Sequence, residues 1–93
     1  MRVLRFYYNY RFARTIVMKL EKTAKCFKEA LIRRGDDDPD KPELAFHPRR
    51  EYQVDIFATV KSSHYRVYQN GGWNDYTPLL TDEEFSEYFI LIE

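Results

Sequence analysis

Thr15-Ile16-Val17-Met18-Lys19-Leu20-Glu21-Lys22-Thr23-Ala24-Lys25-Cys26-Phe27-Lys28-Glu29-Ala30-Leu31 is the stretch that decides how this chain folds. Together with Ala13 upstream, Val17, Leu20, Ala24, Phe27 and Leu31 recur at alternating spacings of four and three, the apolar stripe of an amphipathic helix. Arg11, Arg14, Lys22, Lys25 and Glu29 then fall on the opposite face. With Asn9 as cap and Gly35 as stop, the spacing predicts a helix over 11–34. The competing reading takes Thr15-Ile16-Val17-Met18 as a strand and begins a shorter helix after Lys22.

Upstream, residues 2–8 are rich in aromatic and branched side chains and read as a strand, with Leu4, Phe6 and Tyr8 on one face. Downstream, Asp36-Asp37-Asp38-Pro39-Asp40-Lys41-Pro42 cannot continue a helix. It opens a long acidic, proline-punctuated loop over 36–50. Residues 51–61 alternate. Tyr52, Val54, Ile56, Ala58 and Val60 face one way, and Gln53, Asp55, Phe57, Thr59 and Lys61 the other. A turn at Ser62-Ser63 leads to Tyr65–Tyr68. Asn70-Gly71 signals a tight hairpin, and a short strand is expected at Trp73–Tyr76. Thr81 with Glu84 forms a capping box for a closing helix that places Phe85, Tyr88, Phe89 and Ile92 on one face. The predicted fold is a single α+β domain over 1–93, in the order β-α-loop-β-β(-β)-α. Its antiparallel sheet packs against one long amphipathic helix and a short C-terminal helix.

Composition bounds the rest. Ninety-three residues make one domain, since domains typically run to about 100–150. A hydrophobic content of 44%, with seven Phe, eight Tyr and one Trp, points to a folded chain. Cys26 is the single cysteine, so no internal disulfide forms. The first residues lack the apolar run of a signal peptide, and no segment is long and apolar enough to span a bilayer. No membrane association is expected, and the expected location is the cytoplasm. The net charge of zero hides a division. Residues 1–35 carry ten basic residues against two acidic ones, a net of +8, and the remainder carries five against thirteen, a net of −8. Such a division steers encounters with charged partners or holds the two halves together.

Catalytic and metal-binding patterns fall short of their requirements. Asp36, Asp38 and Asp40 alternate as in an EF-hand loop, but Lys41 stands where glycine is needed and His47 where the bidentate glutamate is needed. His47 and His64 have no paired cysteines, so no zinc pattern exists. Ser63-His64-Tyr65 followed by Asn70–Tyr76 is similar to the histidine box of ubiquitin-specific proteases, yet Ser63 replaces the glycine expected before the histidine and the chain is too short for that fold. Cys26 lies within a basic segment, away from a helix N-terminus that would activate it. No enzyme activity, metal or cofactor is expected.

Two charged surfaces remain. Arg11, Arg14, Lys22, Lys25 and Lys28 on the predicted helix could meet phosphates, and the aromatic residues interleaved near Arg11 suit a single strand. On the acidic side, Asp36, Asp37 and Asp38 with Asp82, Glu83 and Glu84 could imitate a phosphate backbone. The stretch from Asn70 to Tyr76 followed by Asp82–Phe85 resembles the carboxy-terminal third of a type II-A anti-CRISPR protein. That resemblance spans under a quarter of the chain and rests on common residue types. The function expected is a small non-enzymatic binding protein, an inhibitor or regulator carried by a phage or mobile element. It would contact a host protein, one that handles nucleic acid, from within the host cytoplasm. Tyr65, Tyr68, Trp73 and Tyr76 would be the hairpin anchors of the interface, since Tyr, Trp and Arg dominate contact energetics. The alternatives are a nucleic-acid-binding module using helix 11–34 and a self-associating subunit in which basic and acidic halves of different copies meet.

Overall fold

The computed structural model describes residues 16–36, 38–70 and 75–92. The predicted strand 2–8, Arg11, Arg14, Asp37, Gly71 and Trp73 lie outside them. Within the described residues the chain is mostly β. Its elements are β1 (Ile16–Cys26), β2 (Ala30–Ile32), β3 (Leu44–Phe46), β4 (Glu51–Thr59), β5 (Ser63–Tyr68), a helix α1 (Asp82–Tyr88) and β6 (Phe89–Leu91). Four strands form a curled antiparallel half-barrel in the order β5-β4-β1-β6, and β2 pairs with β3 in a separate small hairpin.

The predicted α+β architecture is therefore overturned at its centre, because the stretch read as a long helix is a central strand. β1 runs antiparallel to β4 from Met18↔Ala58 to Lys25↔Glu51, with an irregularity between Ile16 and Met18. On its other side Ala24, Lys25 and Cys26 pair with Leu91, Ile90 and Phe89. Leu20 and Ala24 belong to both the helical stripe and a period-two strand, so they cannot discriminate between them. Phe27 and Leu31 can. In a helix they would complete the buried stripe, but they are 53% and 65% exposed. Hydrogen bonding to partners on both sides outweighs the helix propensity of the lysines and Leu20, which is a weak prior. The competing reading of a strand at 15–18 followed by a helix after Lys22 falls short as well, because β1 runs on to Cys26 and Ala30–Ile32 is a strand, with Thr15 outside the described residues.

β4 follows its predicted alternation. Tyr52, Val54 and Ile56 are buried on the inner face with Val67 of β5. Val60 lies in the turn beyond β4 and is exposed. Across this inner face lies a ring cluster. Phe46 meets Tyr52 edge-on at 4.9 Å and Phe89 at 5.3 Å, and Phe85 stacks on Phe89 at 5.3 Å. β3, which supplies Leu44 and Phe46, arises inside the stretch read as a long loop. A tight reversal joins it to β4, with Arg49 at a φ of 74° and its N–H donating to the Cys26 carbonyl at 2.8 Å.

The capping box forms as read. The Glu84 N–H donates to Thr81 Oγ1 and the Thr81 N–H donates to Glu84 Oε1. The helix ends sooner than predicted, at Tyr88. Phe89 is extended (φ −130°, ψ 157°), and Phe89–Leu91 leaves the helix to pair with β1. An apolar, uncharged run beside the free edge of β1 gains ladder hydrogen bonds that a helix end could not supply.

Candidate binding surface

Of the predicted hairpin anchors, Tyr65 and Tyr68 are built into the fold. Tyr65 stacks on Phe85 at 4.1 Å, and burial followed by a hydrogen bond to Asp82 pushes its pKa up to about 12. Tyr68 is 5% exposed and its hydroxyl donates to Asp55 Oδ2 at 2.8 Å. Burial raises its pKa, and Asp55 acts in the same direction. Tyr76 is half-buried, bridges to Tyr68, and carries the Arg66 guanidinium 4.9 Å from its ring centre.

The predicted acidic residues divide between two places. Asp36 and Asp38 form part of a folded loop in which each carboxylate accepts the N–H two residues on, Asp38 N–H to Asp36 and Asp40 N–H to Asp38. Asp82, Glu83 and Glu84 form the exposed first turn of α1, where negative charge complements the helix N-terminus. The buried Arg34 reaches from the basic half of the sequence into the acidic half. Its Nε and NH2 group donate to the two oxygens of Asp36 at 3.0 and 3.2 Å, and NH2 donates to Asp75 at 2.6 Å. These contacts raise the Arg34 pKa and hold both carboxyls below their ordinary range. Their folded pKa values are depressed, so this stabilisation is present above the ordinary carboxylate range and is lost as pH falls through the folded values. Lys28–Glu87 and Lys19–Asp55, each 3.8 Å, also join the halves. The two charge blocks thus meet within one molecule.

The predicted phosphate-binding face is dispersed by the change from helix to strand. Alternation sends Lys22 towards the inner face and Lys25 outwards, while Lys28 lies beyond β1 beside Glu87. No single face gathers them. Among the described residues no three His, Cys, Asp or Glu side chains come together as metal ligands, and no helix is long and apolar enough to cross a membrane.

One surface escaped the sequence reading. Register places Ile90 beside Lys25 on the outer face, and the Phe27 N–H donates to the Tyr88 carbonyl at 2.9 Å just beyond. Phe27, Ile90, Leu91 and Ile92 are all exposed, with Ile90 at 57%. β6 is also the end of the sheet, and among the described residues no strand pairs with its far side. The opposite end differs. β5 exchanges hydrogen bonds with Leu80 and accepts one from the Thr77 N–H, so residues 76–80 cover that edge. The helical stripe through Phe85, Tyr88, Phe89 and Ile92 runs over this segment, although the branched, uncharged run Ile90-Leu91-Ile92 is itself a strand signal. A scan of family models, of curated proteins and of solved structures finds no match to this chain.

Proposed function

We propose that the protein is a non-enzymatic binding protein that acts by protein–protein contact, with the open edge of β6 as its contact surface. The observation that carries this reading is the coincidence of a strand edge that no other strand pairs with among the described residues and exposed apolar side chains along it, Ile90 on the outer face with Phe27 and Ile92 near it, and Leu91 on the inner face. Exposed apolar edges template strand addition, and the edge here has no charge or proline across Phe89–Ile92 to block it. The occupant is an extended segment of a partner protein, hydrogen-bonded to β6 and placing apolar side chains against the strip.

α1 runs directly into β6, so Glu87, ion-paired with Lys28, lies in the helix turn next to the edge, and the exposed acidic turn Asp82-Glu83-Glu84 stands about 10 Å away at the other end of the helix. Acidic charge beside an apolar edge suits a partner with a basic surface, as a nucleic-acid-handling host protein has. An inhibitor or regulator from a phage or mobile element would work in this way, occupying a surface rather than performing chemistry. The test is affinity capture of tagged full-length protein from host lysate treated with nuclease. A protein retained by wild type and reduced roughly thirtyfold by Ile90→Lys, the effect of losing a hot-spot contact, supports the reading. Equal retention by Ile90→Lys removes β6 from the interface.

A further inference from the structure

The open edge of β6 is specified down to single backbone groups. The Phe27 N–H donates to the Tyr88 carbonyl, and the Ile92 N–H donates to the Thr23 carbonyl. Backbone groups alternate in direction along an antiparallel strand. Tyr88, Ile90 and Ile92 therefore turn theirs towards β1, while Phe89 and Leu91 turn theirs away. The Phe89 N–H is already taken by the Phe85 carbonyl at the end of α1. Among the described residues, the edge thus offers the Phe89 carbonyl and both the N–H and the carbonyl of Leu91. A donor and an acceptor on one residue are satisfied together by a single opposite residue of an antiparallel strand.

Leu91 of a second copy meets that requirement. Across a two-fold axis each Leu91 N–H donates to the carbonyl of the other, and this fixes the register. Ile90 then stands opposite Ile92 of the second copy, and Ile92 opposite its Ile90. These are the close, non-hydrogen-bonded pairs of the ladder, about 4.5 Å between Cα atoms. Ile90 shares the outer face with Lys25, and Ile92 lies two residues on, so both branched pairs fall on that face. The two Leu91 side chains meet on the inner face. Ile90, Leu91 and Ile92 are exposed in the single chain, and each is covered by an apolar side chain of the copy. Charge fits the same symmetry. A charged edge would meet its own charge in the copy, and Phe89–Ile92 carries none. Along the outer row stand Lys25, Ile90, then Ile92 and Thr23 of the second copy, so the two lysines occupy different rows.

We propose that the chain forms a weak two-fold dimer by antiparallel pairing of β6 with β6 of a second copy, and that this dimer occupies the edge until a partner protein displaces it. The displacement rests on the function proposed above; the dimer needs only the open edge. Covering three short side chains and one strand edge removes on the order of 700 Å² from the two copies together, well under the roughly 1,200 Å² at which stable interfaces begin. The dimer therefore dissociates readily, with a dissociation constant on the order of 100 μM. It shields an edge that would otherwise add stray strands, and it yields to a partner that binds the edge more tightly.

Sedimentation equilibrium of the full chain from about 10 to 500 μM tests the dimer. The weight-average mass rises from the 11.3 kDa of one chain towards twice that value. Salt at about 1 M leaves the rise intact, because the contact is apolar. Ile90→Lys raises the dissociation constant more than about tenfold, since the two-fold axis repeats every lost pair. Ile90 is 57% exposed, so this variant leaves the core alone. Oxidation by glutathione disulfide tests the register. Leu91→Cys crosslinks two chains, its opposed Cα atoms standing about 5.5 Å apart. Ile90→Cys does not, because its copy is displaced two residues along the pair, about 8 Å away. Cys26 is buried and stays out of reach. The oxidised Leu91→Cys dimer captures no partner from lysate and recovers capture on reduction; equal capture by the locked dimer overturns the displacement. A chain that remains monomeric at about 500 μM overturns the dimer and leaves partner capture to its own test. A dimer lost in high salt, one unaffected by Ile90→Lys, or equal crosslinking of the two cysteine variants also overturns it. A dimer broken by Ile90→Lys, with lysate capture equal for variant and wild type, supports the dimer and overturns the partner reading alone.

Discussion

Truncating Phe46 to alanine is expected to destabilise the protein by about 3–5 kcal/mol, the range for removing a fully buried aromatic ring. The ring has no solvent exposure. It stands edge-on to both Tyr52 of β4 and Phe89 of β6, at 4.9 and 5.3 Å, and these two meet each other at 6.2 Å. Three separate elements therefore converge on one side chain. β3 contributes only Leu44–Phe46, so little else can refill the space when the ring is gone. Edge-to-face pairs also add attraction beyond the buried area. Domains of this size have total stabilities of only about 5–15 kcal/mol, so the variant should be partly unfolded at moderate urea concentrations. Urea denaturation followed by tyrosine fluorescence measures the effect. A loss below about 1 kcal/mol would mean that the ring junction does not organise the core.

The second large effect is expected at Gly35, with a sign opposite to the usual one. Replacing glycine by alanine at an unstrained position commonly stabilises by about 0.4–1 kcal/mol through the unfolded chain. At Gly35 a Cβ would sit 2.7 Å from the Thr77 carbonyl oxygen and 2.7 Å from two atoms of the Tyr76 ring. The Gly35 N–H also donates to the Tyr76 carbonyl at 2.7 Å, which prevents the two segments from separating freely. Arg34, the preceding residue, ties the same segment through Asp75. Gly35→Ala should therefore cost about 2–3 kcal/mol, towards the upper end for overpacking. Chemical denaturation settles the sign. A variant as stable as wild type, or more so, would show that residues 75–77 do not approach Gly35 this closely.

What could be read from the sequence depended on how local each signal was. The inward set Tyr52, Val54 and Ile56 of β4 and the Thr81–Glu84 capping box are local patterns and were legible in the sequence, whereas Val60 falls in the turn beyond the strand and Asp55 is buried on the opposite face. The end of α1 was not. A helical stripe through Phe85, Tyr88, Phe89 and Ile92 is compatible with the residues, and the competing pairing of Phe89 with Cys26 joins positions far apart in sequence. β1 was lost for the same reason. Leu20 and Ala24 fit periods of both two and about 3.6, and its lysines are good helix formers. The choice rests on Tyr52 and Leu91, which flank Ala24 from opposite sides.

The candidate surfaces followed the fold. Division of charge along the chain was visible at once, but the Arg34–Asp75 contact spans 41 positions and no spacing rule marks it.

Backbone NMR of labelled full-length protein tests the central claim, that residues 16–26 form a strand between β4 and β6. The proposed β6 edge depends on it. The account predicts extended backbone shifts across this segment, with cross-strand NOEs from Ala24 to Tyr52 on one side and to Leu91 on the other. Sequential amide–amide NOEs and helical shifts running through Lys22, Lys25 and Lys28 would contradict it, and would return those lysines to a helix face.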